Sequence, residues 1–139
     1  ILMPAPGLLF LCVANSSRSQ MAEGLARRVF GPDACVQSAG SRATHVNPLA
    51  VAAMQESGID ISNQSSKAVD TIDPTTVGLV VTLCAEEVCP AFLGVVRHLH
   101  WSLPDPTVHG EGPAGLAAFR ATRDEIARRL EGLRAELDG

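Results

Sequence analysis

No stretch of this 139-residue chain stays apolar for the roughly 20 residues that a membrane-spanning helix needs. The first seven residues lack the charged start and long apolar core of a signal peptide. Positive charge is scarce: 11 Lys and Arg against 15 Asp and Glu give a formal net charge of −4. That balance offers no general attraction to nucleic acid or to an anionic membrane, so any anion must be bound by a local site. Internal repeats, low-complexity tracts and linker-like stretches are absent, and residues 1–139 read as a single domain. There are four cysteines, Cys12, Cys35, Cys84 and Cys89, too sparse in too long a chain for a secreted disulfide scaffold. No C-x2-C pair or suitably spaced histidine pair accompanies them, so no metal site is expected. The expectation is a cytoplasmic, monomeric protein whose thiols have chemical work to do.

What is present is an alternation of strand-like and helix-like segments. Leu8–Val13 is a continuous apolar run, as a strand buried on both faces of a parallel sheet requires. Met21, Leu25, Ala26 and Val29 recur at helical spacing over Gln20–Phe30, and Gly31-Pro32 stops that helix. Cys35–Ser38 is a short strand, Asn47-Pro48 opens a second helix through Met54, and Asp70–Pro74 is turn-like. Val77–Leu83 is a second buried strand with Cys84 at its C-terminal end, and His98–Trp101 is a further short strand. Gly115–Leu137 reads as a long amphipathic helix with a solvated charged face. The order predicts one doubly wound α/β domain: a central parallel four-stranded sheet flanked by helices. Ligands bind beyond the C-terminal strand ends of such sheets, where Cys12, Cys84 and Asp105 all fall.

The chemistry concentrates in Cys12-Val13-Ala14-Asn15-Ser16-Ser17-Arg18-Ser19. A loop from a strand end to a helix start gathers backbone N–H groups on one spot, which binds a tetrahedral oxyanion. Those groups and Arg18 favour the thiolate of Cys12 as a nucleophile, and the planar guanidinium can clamp two oxygens of the bound anion. Ala14, Ser16 and Ser17 are small enough for the backbone to curl. Asn15 suits a positive-φ position that braces the loop, and Ser19 can place its hydroxyl near the Cys12 sulfur.

Two further motifs join this loop. Cys84-Ala-Glu-Glu-Val-Cys89 sets two thiols after the second core strand, able to form a disulfide and pass electrons on. Buried packing residues are the competing reading of the pair. Asp105, between Pro104 and Pro106, has a fixed backbone and could protonate a leaving oxygen; alone it would read as a turn residue. Cys35 reads as a packed core thiol and Trp101 as core or pocket wall. His98 and His100 share one side of a strand, with surface or packing roles favoured over metal binding.

Cys12 to Gly24 resembles the anion loop of thioredoxin-coupled arsenate reductases, which share their fold with low-molecular-weight protein tyrosine phosphatases. The similarity continues through Ser38-Ala-Gly40, Val46-Asn-Pro48, Gly58 to Ser62, Val81 to Cys84, Cys89-Pro90, His100-Trp101, Asp105-Pro106 and Arg123 to Ile126. The loop alone fits both families; the Cys84/Cys89 pair and the ordered motifs favour the reductase. The resemblance implies that Cys12 attacks arsenate, held by Arg18 and the loop amides, and that Asp105 protonates the departing oxygen. It implies that Cys84 then resolves the Cys12–arsenic adduct, releasing arsenite, and that Cys89 closes a Cys84–Cys89 disulfide for thioredoxin to reduce. Phosphate and sulfate would compete with arsenate, and no cofactor would be bound.

Three departures stand out. Four residues separate Cys84 from Cys89, where some members have six. Some members bind potassium beside the loop through Asn, Glu, Ser and Asp; Asn15, Glu23 and Ser38 match, but Lys67 stands in place of the Asp. An ammonium there would replace the cation, so no potassium requirement is expected. Ser17 occupies a position that is often Cys. The alternatives are a phosphotyrosine phosphatase and a non-catalytic arsenite or redox sensor. Against the first, the chain has no tyrosine at all, and Thr107 follows Asp105-Pro106 where such phosphatases carry a ring-stacking residue. Against the second, a trithiol arsenite site needs neither Arg18 nor Asp105. Reduction through a small thiol instead of thioredoxin would leave Cys89 idle.

Overall fold

The structure, a computed structural model, describes residues 7–85, 92 and 96–138. Cys89 therefore lies outside the described residues. The element order is β1 (Leu8–Cys12), α1 (Arg18–Phe30), β2 (Val36–Gly40), α2 (Pro48–Glu56), β3 (Leu79–Thr82), β4 (Arg97–His100) and α3 (Pro113–Asp138). Short 3-10 turns occur at Val69–Thr71, Pro74–Thr76 and Pro106–His109. The four strands form one sheet in the order β2-β1-β3-β4, and every pair is parallel. The expected strand and helix segments are all present, with ends shifted by a few residues.

The continuous apolar runs of β1 and β3 are explained by burial on both faces. Leu8, Phe10, Leu79 and Val81 face a cluster that includes Met21 and Leu25 of α1, Met54 of α2, and Phe119, Ile126 and Leu130 of α3. Leu9, Leu11 and Val80 face the opposite way, against Ile72 and Val77, with Val69, Phe92 and Val96 packed around them. Strand alternation divides each run between the two faces. β2 and β3 flank β1 on opposite sides, so the chain changes winding direction beside β1. The C-terminal end of β1 is thus at the switch point where α/β sheets bind ligands.

Two sequence readings change. Cys35 is exposed, because it sits just before β2 at the sheet rim, with Sγ 3.8 Å from the carbonyl of Thr76. The charged face of α3 is also more than a solvated surface. Arg120 Nη2 lies 2.7 Å and Arg123 Nη1 3.0 Å from the Glu56 carboxylate, joining α3 to the end of α2. Those hydrogen bonds, Arg120 first and then Arg123, lower the Glu56 pKa from 4.5 to about 2. A carboxylate with a depressed folded-state pKa stabilises the fold above its unfolded pKa and loses that contribution as pH falls through the folded one. Glu56→Gln is expected to flatten the fall of Tm between pH 4.5 and about pH 2 relative to wild type, measured by circular dichroism. Parallel Tm curves for the two proteins would contradict this role.

Candidate active site

The loop from Cys12 to Arg18 is shaped by where its carbonyl groups go. The carbonyl of Val13 accepts from Arg42 N at 2.9 Å, that of Ala14 from Thr44 N at 3.2 Å, and that of Ser16 from Asn47 N at 3.0 Å. The Asn15 carbonyl accepts from Gln20 Nε2 at 3.0 Å. The Ala14 carbonyl also takes the Ser66 hydroxyl at 3.0 Å, and that of Ser17 starts the helix ladder with Met21 N at 3.0 Å. Among the described residues, the amides of Ala14, Asn15, Ser16 and Ser17 find no protein acceptor. With the carbonyls tied to the surrounding chain, the loop keeps its donors for an anion. Gly40, at the end of β2, lets this happen: a Cβ there would collide with the Val13 carbonyl and stand 2.8 Å from Asn15 N.

Asn15 is the pivot. It is fully buried and is the one described non-glycine residue with positive φ, 48°. Its Nδ2 donates to Ser19 Oγ at 2.8 Å and to Ser38 Oγ at 2.9 Å. Its Oδ1 accepts from Gln20 Nε2 at 3.0 Å and from Lys67 N at 2.7 Å. Both donors and both lone pairs of the amide are used. Ser38 passes the network on, donating to Glu23 Oε1 at 2.6 Å. Glu23 is buried, ion-paired through Oε2 to Arg27 at 2.7 Å, and faced by Lys67 Nζ, 3.8 Å from its Oε1. Lys67 Nζ also donates to the Ser65 carbonyl at 2.9 Å.

A cavity of about 220 Å³ opens above this loop, lined by Cys12, Val13, Ala14, Ser16, Ser17, Arg18, Asp105 and Thr107. Cys12 is buried and carries a free thiol. Arg18 is also buried, and its Nη1 donates to the Leu103 carbonyl at 2.9 Å, tying the loop to the segment that carries Asp105. Asp105 Oδ1 accepts from Thr107 N at 3.0 Å and Thr107 Oγ1 at 2.7 Å. α1 starts at Arg18 with no acidic side chain in its first turn, so its positive end adds to the anion site. Ser17 occupies the N-cap position without capping, and its Oγ is buried with no hydrogen-bond partner. A buried thiol, a guanidinium, a run of amides without a protein acceptor and a carboxyl thus share one cavity sized for a small anion. That set can bind a tetrahedral oxyanion and carry out in-line displacement at its central atom.

The structure brings together the loop, Arg18, Asp105 and the bracing set of Asn15, Ser19, Glu23, Ser38 and Lys67. Ser19 Oγ accepts from Asn15, which leaves its own proton for donation. Cys84 does not line the cavity. It is buried just past β3 and is disulfide-bonded, whereas Cys12 and Cys35 are free thiols. His98 and His100 are exposed on β4, with His100 Nδ1 2.6 Å from Thr82 Oγ1, and no metal-holding cluster occurs among the described residues. Sequence reasoning missed Gln20, Gly40, Thr107 and the Leu103 carbonyl. Only Thr107 had a local signal, a hydroxyl two residues after an Asp. Gln20, Gly40 and Leu103 act through contacts across the fold, which no spacing reveals.

Comparison with known proteins agrees with this architecture. Residues 7–139 match the low molecular weight phosphotyrosine protein phosphatase family. An arsenate reductase from Halalkalibacterium halodurans is 46% identical over 127 residues, covering 89% of this chain and 91% of that protein. A solved arsenate reductase in its oxidized state superposes with a TM-score of 0.80 at 34% identity, covering 95% of this chain and 98% of that one. A thioredoxin-dependent arsenate reductase from Corynebacterium glutamicum gives a TM-score of 0.71 at 29% identity, covering 99% of this chain and 64% of that one. These three relatives are arsenate reductases, and the chain belongs to the low molecular weight phosphotyrosine protein phosphatase family.

Proposed function

We propose that this protein reduces arsenate to arsenite by a relay of Cys12, Cys84 and Cys89, with thioredoxin as the electron donor. The observation that carries the reading is a free Cys12 thiol at the floor of the oxyanion cavity together with a disulfide-bonded Cys84 just past the neighbouring strand. A phosphatase cycle has no step for Cys84, whereas a reductase must leave its electrons' source oxidised.

The steps follow from the site. The Cys12 sulfur attacks arsenic as the loop amides and Arg18 hold the oxygens, and Asp105 gives a proton to the oxygen that leaves as water. Cys84 then attacks the Cys12 sulfur. The S–As electron pair stays on arsenic, arsenite departs, and a Cys12–Cys84 disulfide remains. Cys89 attacks Cys84, frees Cys12, and leaves a disulfide for the thioredoxin dithiol to reduce. β1 and β3 pair with Leu11 opposite Thr82, so Cys12 and Cys84 leave neighbouring strand ends. Strands about 4.8 Å apart put such ends within the Cα separation a disulfide spans. Cys84 is disulfide-bonded and does not line the cavity, so that disulfide has to open before Cys84 can reach Cys12.

The direct test is arsenate-dependent NADPH oxidation with thioredoxin and thioredoxin reductase. Cys84→Ser and Cys89→Ala are expected to abolish multiple turnover, with Cys89→Ala still giving about one arsenite per enzyme. Normal turnover by Cys89→Ala, or aryl-phosphate hydrolysis with no arsenate turnover, would contradict the relay. Phosphate and sulfate should act as competitive inhibitors.

Lys67 gives a second test. Its ammonium stands 3.8 Å from the buried Glu23, where it supplies the positive charge that a bound cation would otherwise bring. Turnover is expected to agree within about twofold in sodium and potassium buffers at equal ionic strength, since a paired ammonium leaves little for a cation to neutralise. A several-fold rise on adding potassium would overturn this role for Lys67.

A further inference from the structure

Asp105 is held from both sides. Upstream, Arg18 Nη1 fixes the Leu103 carbonyl at 2.9 Å. Downstream, the Thr107 amide and hydroxyl both donate to one carboxyl oxygen, Oδ1, at 3.0 and 2.7 Å. A carboxyl oxygen has two lone pairs, and two donors engage both of Oδ1. The proton of the acid form is then confined to Oδ2, and the carboxyl plane is fixed. Thr107 shares the cavity wall with Asp105 and Cys12, so this control is exerted where the leaving oxygen would be.

The chain contains its own control for this geometry. Asp73-Pro74-Thr75 repeats the tripeptide Asp105-Pro106-Thr107. Asp73 Oδ1 accepts from Thr75 N at 3.0 Å and Thr75 Oγ1 at 2.8 Å, and a short 3-10 turn follows in both places. Neither Asp73 nor Thr75 lines the cavity. The tripeptide builds the turn wherever it occurs; only the second copy stands over a nucleophile.

We propose that Thr107 is a positioning residue for proton transfer: its hydroxyl locks Oδ1 of Asp105, so that Oδ2 alone delivers the proton to the departing oxygen. This rests on the reading of Asp105 as the acid in arsenate reduction. In that step the Cys12 sulfur–arsenic bond forms as an arsenic–oxygen bond breaks. The Oδ2 proton goes to that oxygen, water leaves, and Asp105, partly exposed, regains a proton from solvent.

The test is the single-turnover rate of arsenite formation by the fully reduced protein, with KM for arsenate and Tm measured alongside. Asp105→Asn, Thr107→Val, Thr107→Ala, Thr107→Ser and Thr75→Val are compared with wild type. Thr107→Val and Thr107→Ala are expected to slow the step about tenfold, part of the 10²–10⁴ a general acid contributes, with KM unchanged within about twofold. Thr107→Ser, which keeps the hydroxyl, is expected to restore the rate, and Thr75→Val to match wild type in rate while losing as much Tm as Thr107→Val. Wild-type rates in both Thr107→Val and Thr107→Ala, beside a slow Asp105→Asn, would overturn the role of Thr107 and leave the acid reading standing. Equal slowing in Thr75→Val and Thr107→Val would reduce the effect to turn stability and also overturn it. A wild-type rate in Asp105→Asn would overturn the acid reading and this proposal with it.

Discussion

Asn15 holds the middle of the anion loop in a left-handed conformation from a fully buried position. That backbone state costs an L-residue about 1–2 kcal/mol. Four side-chain hydrogen bonds, each contributing about 0.5–1.5 kcal/mol net, more than offset it. They reach Ser19 and Gln20 at the start of α1, Ser38 on β2, and the Lys67 backbone. One amide therefore fixes the loop to three parts of the fold.

The rest of the site builds on that loop. Outward carbonyls bonded to Arg42, Thr44 and Asn47 leave the amides free to serve an oxyanion. Gly40 keeps the end of β2 close enough for this to occur. Arg18 then does two things, lining the cavity and gripping the Leu103 carbonyl, so its guanidinium is tied to the segment that carries Asp105. Below the loop, Glu23 is buried among Ser38, Arg27 and Lys67, and its charge is met within the fold. Donors held in place by the fold are the condition under which electrostatic stabilisation of a transition state is largest.

Much of this was legible in the residues. Leu8–Val13 and Val77–Leu83 announce buried parallel strands because both their faces are apolar, and Cys12 and Arg18 mark the two ends of a loop that lines one cavity. Asn15 could be assigned its backbone state because few residue types tolerate it. The misreadings have physical reasons. Cys35 looked like core because its flanks are apolar, but it stops one residue short of the strand. Arg120 and Arg123 looked solvated because their partner Glu56 is more than sixty positions away in sequence. Cys84 follows a strand end as its sequence position suggests, but it does not line the cavity. Local pattern reads elements and turns; it does not read which carbonyl a guanidinium will grip.

The Asn15 side chain sets the backbone of the anion loop. Phosphate binding to the reduced protein by isothermal titration calorimetry tests this most directly, on wild type, Asn15→Ala and Asn15→Gly. Asn15→Ala loses both the hydrogen bonds and the tolerance for positive φ, and its Kd is expected to rise by at least about tenfold, or 1.4 kcal/mol. Asn15→Gly keeps the backbone freedom and should fall between the two. Wild-type affinity in a folded Asn15→Ala protein would contradict the account.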